Sequence, residues 1–132
     1  MTHMGFVPYV YSAFRIVFGL LFLMHGLQKL AGMFGGMPGF DGAVPVVSLF
    51  GVAGVIECAT GTLIVLGLFT RPAAFVASGM MAYAYFTVHL PMGAWPIINR
   101  GEPAVMNCFA FLYMAARGGG PFSLDAAIRR KA

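Results

Sequence analysis

Charge is what this chain has least of. Only 9% of its 132 residues are Asp, Glu, Lys or Arg, against about 25% in an average soluble protein. Lys and Arg outnumber Asp and Glu for a net charge of +4, yet the basic residues cluster only at Arg129-Arg130-Lys131. Nucleic-acid binding needs a broader basic face than that, whereas a short basic end suits anionic lipid headgroups. Cysteine is scarce too. Cys58 and Cys108 stand alone in apolar segments without the CxxC spacing of a redox pair or a zinc site, and they read as small buried side chains. Flavin, dinucleotide and iron–sulfur motifs are missing, as is the CxxCH that would attach haem covalently. Bound haem is therefore disfavoured, and no metal site is expected. The N-terminus lacks the basic stretch and small-residue cleavage site of a secretory signal, so the first apolar segment is expected to persist as an anchor.

What remains is apolar. Hydrophobic residues make up 60% of the chain, against about 45–50% for an average globular protein. At this length a soluble fold would leave much of that surface in water, while a bilayer would solvate it. Breaks rich in Gly and Pro, Ala31–Gly42 and Pro91–Glu102, divide the chain into apolar segments. Membrane spans are expected at about 9–30, 44–68, 72–90 and 102–117. The expected fold is an all-α membrane protein, a four-transmembrane-helix bundle in one domain with a short C-terminal amphipathic segment capped by Ser123. Pro45 suits the first turn of the second helix, and Thr70 and Pro72 suit the start of the third. The fourth segment is the shortest, near 22 Å as a helix. Lys and Arg set the orientation. With four spans, Arg71, Arg117, Arg129, Arg130 and Lys131 share a side with both termini, opposite Lys29 and Arg100. The positive-inside rule then places both termini in the cytoplasm.

Ionisable residues inside apolar segments point to a site, because insertion scales charge roughly 2.5–3.5 kcal/mol for each at a helix centre. Counted from the expected helix ends, Arg15 and Glu57 lie at matching depth, which predicts a buried Arg15–Glu57 ion pair. Gly19 and Gly26 share a stripe with Arg15, and Ala53 and Gly61 share one with Glu57, so the two helices can approach closely. Near the opposite face, His25, Lys29, His89 and Glu102 converge if successive helices alternate in direction, and Asn107 and Tyr113 add polar atoms. These groups could line a polar pocket. A histidine in such a pocket can serve a quinone as a hydrogen-bond partner, although residues within a turn of an interface can also simply reach water.

The residues also carry a resemblance. Arg15-x3-Gly19 followed by His25-Gly26-x2-Lys29-Leu30 resembles the first-helix signature of the DoxX family. Glu57-x3-Gly61, then Leu66-Gly67-Leu68-x-Thr70-Arg71, resembles its second. Met80, Met81, Ala82 and Ala84 with His89 are similar to its third helix. Asn99-x-Gly101-Glu102-x-Ala104, then Phe109-x-Phe111-Leu112 and Gly118-x-Gly120-Pro121, are similar to its last. Arg100 departs from the pattern, which leads one to expect a small residue there. The resemblance implies a four-helix protein of the bacterial cytoplasmic (inner) membrane associated with redox systems, including thiosulfate:quinone oxidoreduction and oxidative-stress complexes. The favoured expectation is a membrane subunit that contacts a quinone and depends on a soluble or membrane redox enzyme for electrons. A membrane scaffold for soluble enzymes, or a small carrier of an apolar solute working as a homodimer, are the alternatives.

Overall fold

The computed structural model describes residues 5–132, and among them there is helix but no strand. Helix α1 (Val7–Ala31) has a proline in its first turn and stops at Gly32, which takes a left-handed φ of 65°. A side chain at Gly32 would meet the backbone of Gly42 and Ala43 at 2.9–3.0 Å, so the loop closes on it only because it is glycine. Val44 N–H donates to the Lys29 carbonyl at 2.8 Å, which draws the loop back onto the end of α1.

The second helix starts later than the position of Pro45 suggests. Ser48, not Pro45, marks its entry: Ser48 Oγ accepts from Gly51 N–H at 3.1 Å, and α2 runs from Leu49 to Leu66. Gly67, left-handed at φ 66°, opens a tight turn into α3 (Thr70–Ala84). Thr70 does not cap that helix. Asp125, far along the chain, supplies the capping oxygens instead, accepting from Phe69 N–H at 2.8 Å and Thr70 N–H at 3.0 Å. Helix α3 continues through a π turn (Tyr85–His89) and a 3-10 turn (Leu90–Met92). A single helical turn, α4 (Pro96–Asn99), leads to α5 (Glu102–Arg117). Ser123 then caps α6 (Leu124–Lys131), its Oγ accepting from Ala126 N–H at 3.2 Å.

The architecture is two antiparallel helix pairs. In the first, glycines bring α1 and α2 into backbone contact. A Cβ on Gly26 would lie 2.7 Å from the Cys58 nitrogen, and one on Gly61 would lie 2.7 Å from the Leu23 nitrogen. In the second, α3 lies against α5, with Ser78 Oγ donating to the Cys108 carbonyl at 2.8 Å. The pairs meet at the end that carries the termini. There Phe22 and Ile64 pack with Ala74, Ala77, Phe111 and Met114 in one core.

Outward faces are strongly apolar: Phe75, Phe86 and Phe109 are each more than 60% exposed, as lipid contact allows and water does not. Three helical stretches, Val7–Ala31, Leu49–Leu66 and Thr70–Met92, are long and apolar enough to cross a membrane. Helix α5 has 16 residues, roughly 24 Å, and falls short of a full span by length.

Candidate functional site

The two buried charges of the first helix pair are held in different ways. Arg15 is 1% exposed. Its Nη1 donates to the Ile64 and Val65 carbonyls, the latter at 2.7 Å, and its Nη2 to the Phe122 carbonyl at 2.7 Å. Ile64 and Val65 belong to the last turn of α2, where carbonyls run short of helical partners and the helix dipole is negative; the Ile64 carbonyl also accepts from Gly67 N–H at 3.2 Å. The guanidinium thus closes a helix C-terminus. Nearby, Tyr11 Oη donates to the Gly118 carbonyl, and the Arg117 guanidinium sits 4.5 Å over the Tyr11 ring. Arg71 donates to the Ala116 carbonyl at 2.6 Å.

The expected Arg15–Glu57 ion pair does not form. Glu57, 3% exposed, instead receives Lys29 Nζ on both oxygens, at 2.9 Å and 2.8 Å. Glu57 lies nearer the start of α2 than a helix beginning at Val44 would place it. With α2 beginning at Leu49 and Gly26 packed on Cys58, Glu57 faces the last turns of α1. Arg15 faces the Gly67 turn, roughly 15 Å further along α2.

Where the helix pairs diverge, away from the termini, they enclose a cavity of about 680 Å³. That volume falls in the usual range for small-molecule sites. Its walls are largely apolar, from Phe22, Phe50, Ile56, Met80 and Met81, and its polar groups are His25, Lys29, Glu57, Thr87, His89, Arg100 and Asn107. So His25, Lys29 and His89 do share one cavity. Glu102 does not line it: it sits exposed in the first turn of α5, where one residue's rotation about the axis decides between cavity and outside. Tyr113 belongs to the terminal end, edge-on to Tyr11 at 5.9 Å.

Two further features flank the cavity. Asn99, 1% exposed, ties the loop before α5 together. Its Oδ1 accepts from Gly101 N–H at 2.8 Å, and its Nδ2 donates to the Gly93 carbonyl at 2.9 Å and to Tyr85 Oη at 3.3 Å. Its own carbonyl lies 3.1 Å from His89 Nδ1. The following residue, Arg100, is left-handed at φ 59°, which explains why a small residue would be expected there. The π turn is the second feature. It carries Thr87, Val88 and His89 into the wall, a placement that π turns often serve. No three His, Cys, Asp or Glu side chains among the described residues come together as a metal site would require.

Residues 10–90 match the DoxX family. The chain belongs to the DoxX family. That match takes in both charges of the ion pair, Arg15, His25 and His89, whereas Asn99, Arg100 and Asn107 lie beyond it. Among relatives, a Haemophilus influenzae protein of uncharacterised function is 43% identical over 121 residues, covering 89% of this chain and 90% of its own length. The Escherichia coli inner membrane protein YphA is 31% identical, with 84% of each chain covered. A Bacillus subtilis protein named "Putative oxidoreductase CatD" is 29% identical, covering 84% of this chain and 81% of its own. No solved structure matches. The protein is a DoxX family membrane protein with apolar helices.

Proposed function

We propose that this DoxX protein is a membrane subunit of a redox system in the bacterial cytoplasmic membrane, and that its cavity binds a quinone. The cavity with the Lys29–Glu57 pair in its wall carries this reading. Two of the three Lys29 ammonium protons go to Glu57, and the third has no protein partner among the described residues. It is therefore a charged donor facing a largely apolar space, suited to a planar apolar molecule with oxygens at its edge. Glu57 keeps the ammonium from standing as a lone charge in a low-dielectric wall. The chain carries no electron-carrying motif of its own, so a partner enzyme or the substrate supplies electrons. The names borne by two relatives, "Inner membrane protein YphA" and "Putative oxidoreductase CatD", agree with this place and role.

The same reading makes α5 the fourth crossing, in locally thinned bilayer, with both termini cytoplasmic. Arg71, Arg117 and the α6 basic residues lie at the terminal end. At the other end the only Lys and Arg among the described residues are Lys29 and Arg100, so the excess of basic residues lies with the termini, as the positive-inside rule asks of a cytoplasmic side.

Titrating the detergent-purified protein with short-tailed ubiquinone and menaquinone tests the reading. A rise in melting temperature that saturates with ligand, and that Lys29→Met abolishes, is the expected result. No shift with any quinone would sink it.

A further inference from the structure

We propose that the cavity selects the hydroxyl-bearing, reduced form of its ligand, with His89 Nε2 as the acceptor and Asn99 as the residue that fixes it in that role. This rests on the quinone reading of the cavity and adds to it which redox form is held.

The argument starts from a hydrogen bond with only one possible direction. His89 Nδ1 lies 3.1 Å from the backbone carbonyl of Asn99. A carbonyl oxygen only accepts, so Nδ1 must carry the proton. In a neutral imidazole the other nitrogen is then bare. His89 Nε2 has no protein partner among the described residues, and His89 lines the cavity. The wall therefore presents an acceptor at this point. A quinol hydroxyl can donate to it, whereas a quinone carbonyl finds lone pair facing lone pair.

The tautomer is held from several sides. Asn99 is buried, and its side chain is locked to Gly93, Gly101 and Tyr85, so its carbonyl has a fixed position. Tyr85 also lies over the His89 ring, with centroids 6.4 Å apart and planes 27° apart. Lys29, by contrast, can donate to a carbonyl or a hydroxyl oxygen alike and does not discriminate. His89 is the group that reads the redox state of the head, and Asn99 is its positioning residue.

The test compares three probes of one ring and tail at about pH 8, where an unperturbed imidazole is neutral: a short-tailed benzoquinone, its quinol kept reduced under nitrogen, and the dimethyl ether of that quinol. The quinol is expected to bind about tenfold more tightly than either of the others, the usual scale for one buried hydrogen bond. His89→Phe should lower quinol affinity to that of the ether while leaving the ether unchanged. Asn99→Ala should narrow the quinol-to-ether ratio toward one with ether binding kept. Nitrogen-15 NMR of the histidine-labelled, unsubstituted protein reads the tautomer directly and needs no variant to fold; a protonated Nδ1 and a bare Nε2 are expected for His89. A proton on Nε2, or equal binding of quinol and ether, overturns this inference and leaves the quinone site standing. Failure of all three probes to bind overturns both.

Discussion

The terminal end and the cavity end of this protein each bury a charge from α1, and they neutralise it differently. At the terminal end, Arg15 is satisfied by backbone carbonyls from α2 and the Phe122 segment. Those partners are fixed by the chain trace, and Tyr11, Arg71 and Asp125 brace the same region through further bonds to backbone. At the cavity end, Lys29 is satisfied by one side chain, Glu57, beside open volume. A charge tied to backbone welds a structure. A charge tied to another side chain, with a proton to spare, can also meet a ligand. The first end reads as architecture and the second as a site.

Removing Arg15 should give the largest loss. Arg15→Met takes the donor from the Val65 and Phe122 carbonyls and leaves the Ile64 carbonyl with only Gly67 N–H at 3.2 Å, at about 1–3 kcal/mol for each bond lost, and no single second substitution restores them. Arg15→Lys should recover only part, since a compact ammonium cannot reach all three as the guanidinium fork does. Thermal unfolding in detergent reads both. If Arg15→Met melts within a few degrees of the unsubstituted protein, the terminal end is not the weld described here.

Glu57→Ala should cost about 3–5 kcal/mol by stranding Lys29 in the wall. Unlike the Arg15 change, it has a rescue. The double variant Lys29→Met, Glu57→Leu replaces the pair with apolar side chains of similar size and should regain most of the stability, yet show no melting shift with quinone. A double variant that is stable and still shifts with quinone would break the division between weld and site.

How far this contrast is legible in the sequence depends on which distances matter. An apolar helical chain follows from composition, and the meeting of His25, Lys29 and His89 follows from helices that alternate in direction. Membership of the DoxX family follows from motifs spread along the chain. The partner of Glu57 is not legible, because it depends on where α2 begins. Pro45 suggests an early start, Ser48 decides the actual one, and an error of a few residues changes which charge stands opposite. Glu102 fails for a related reason: its height along the bundle can be read, but not its direction around α5. Asn99 stands in the Asn99-x-Gly101-Glu102 motif, but its role there is not legible, since its partners Tyr85, Gly93 and Gly101 converge only in the folded loop.

A smaller effect should separate the two ends by pH. Burial alone would raise the Asp125 carboxyl, but the hydrogen bonds from Thr70 and Phe69 and the nearby Arg129 outweigh it and hold the group below its ordinary 3.8. A carboxyl lowered in the folded state contributes stability above its unfolded value, and that contribution is lost as pH falls through the folded one. Asp125 is part-exposed, so solvent screening limits the effect to about 1 kcal/mol or less. Asp125→Asn should lower the melting temperature slightly at neutral pH and flatten its decline below about pH 4. An unchanged acid profile would remove Asp125 from the brace at the terminal end.

The smallest effect tests where the site stops. Glu102 and Glu57 are both carboxylates in the half of the protein away from the termini, but only Glu57 lines the cavity. Glu102→Gln should change stability by a few tenths of a kcal/mol, the value of a charge at an exposed helix N-terminus, and leave the quinone-induced shift intact. The pair of substitutions is then a measure of the site's edge. If Glu102→Gln abolishes the quinone-induced shift as Lys29→Met is expected to, the pocket reaches the first turn of α5, and the residues that bind the ligand are not confined to the cavity wall.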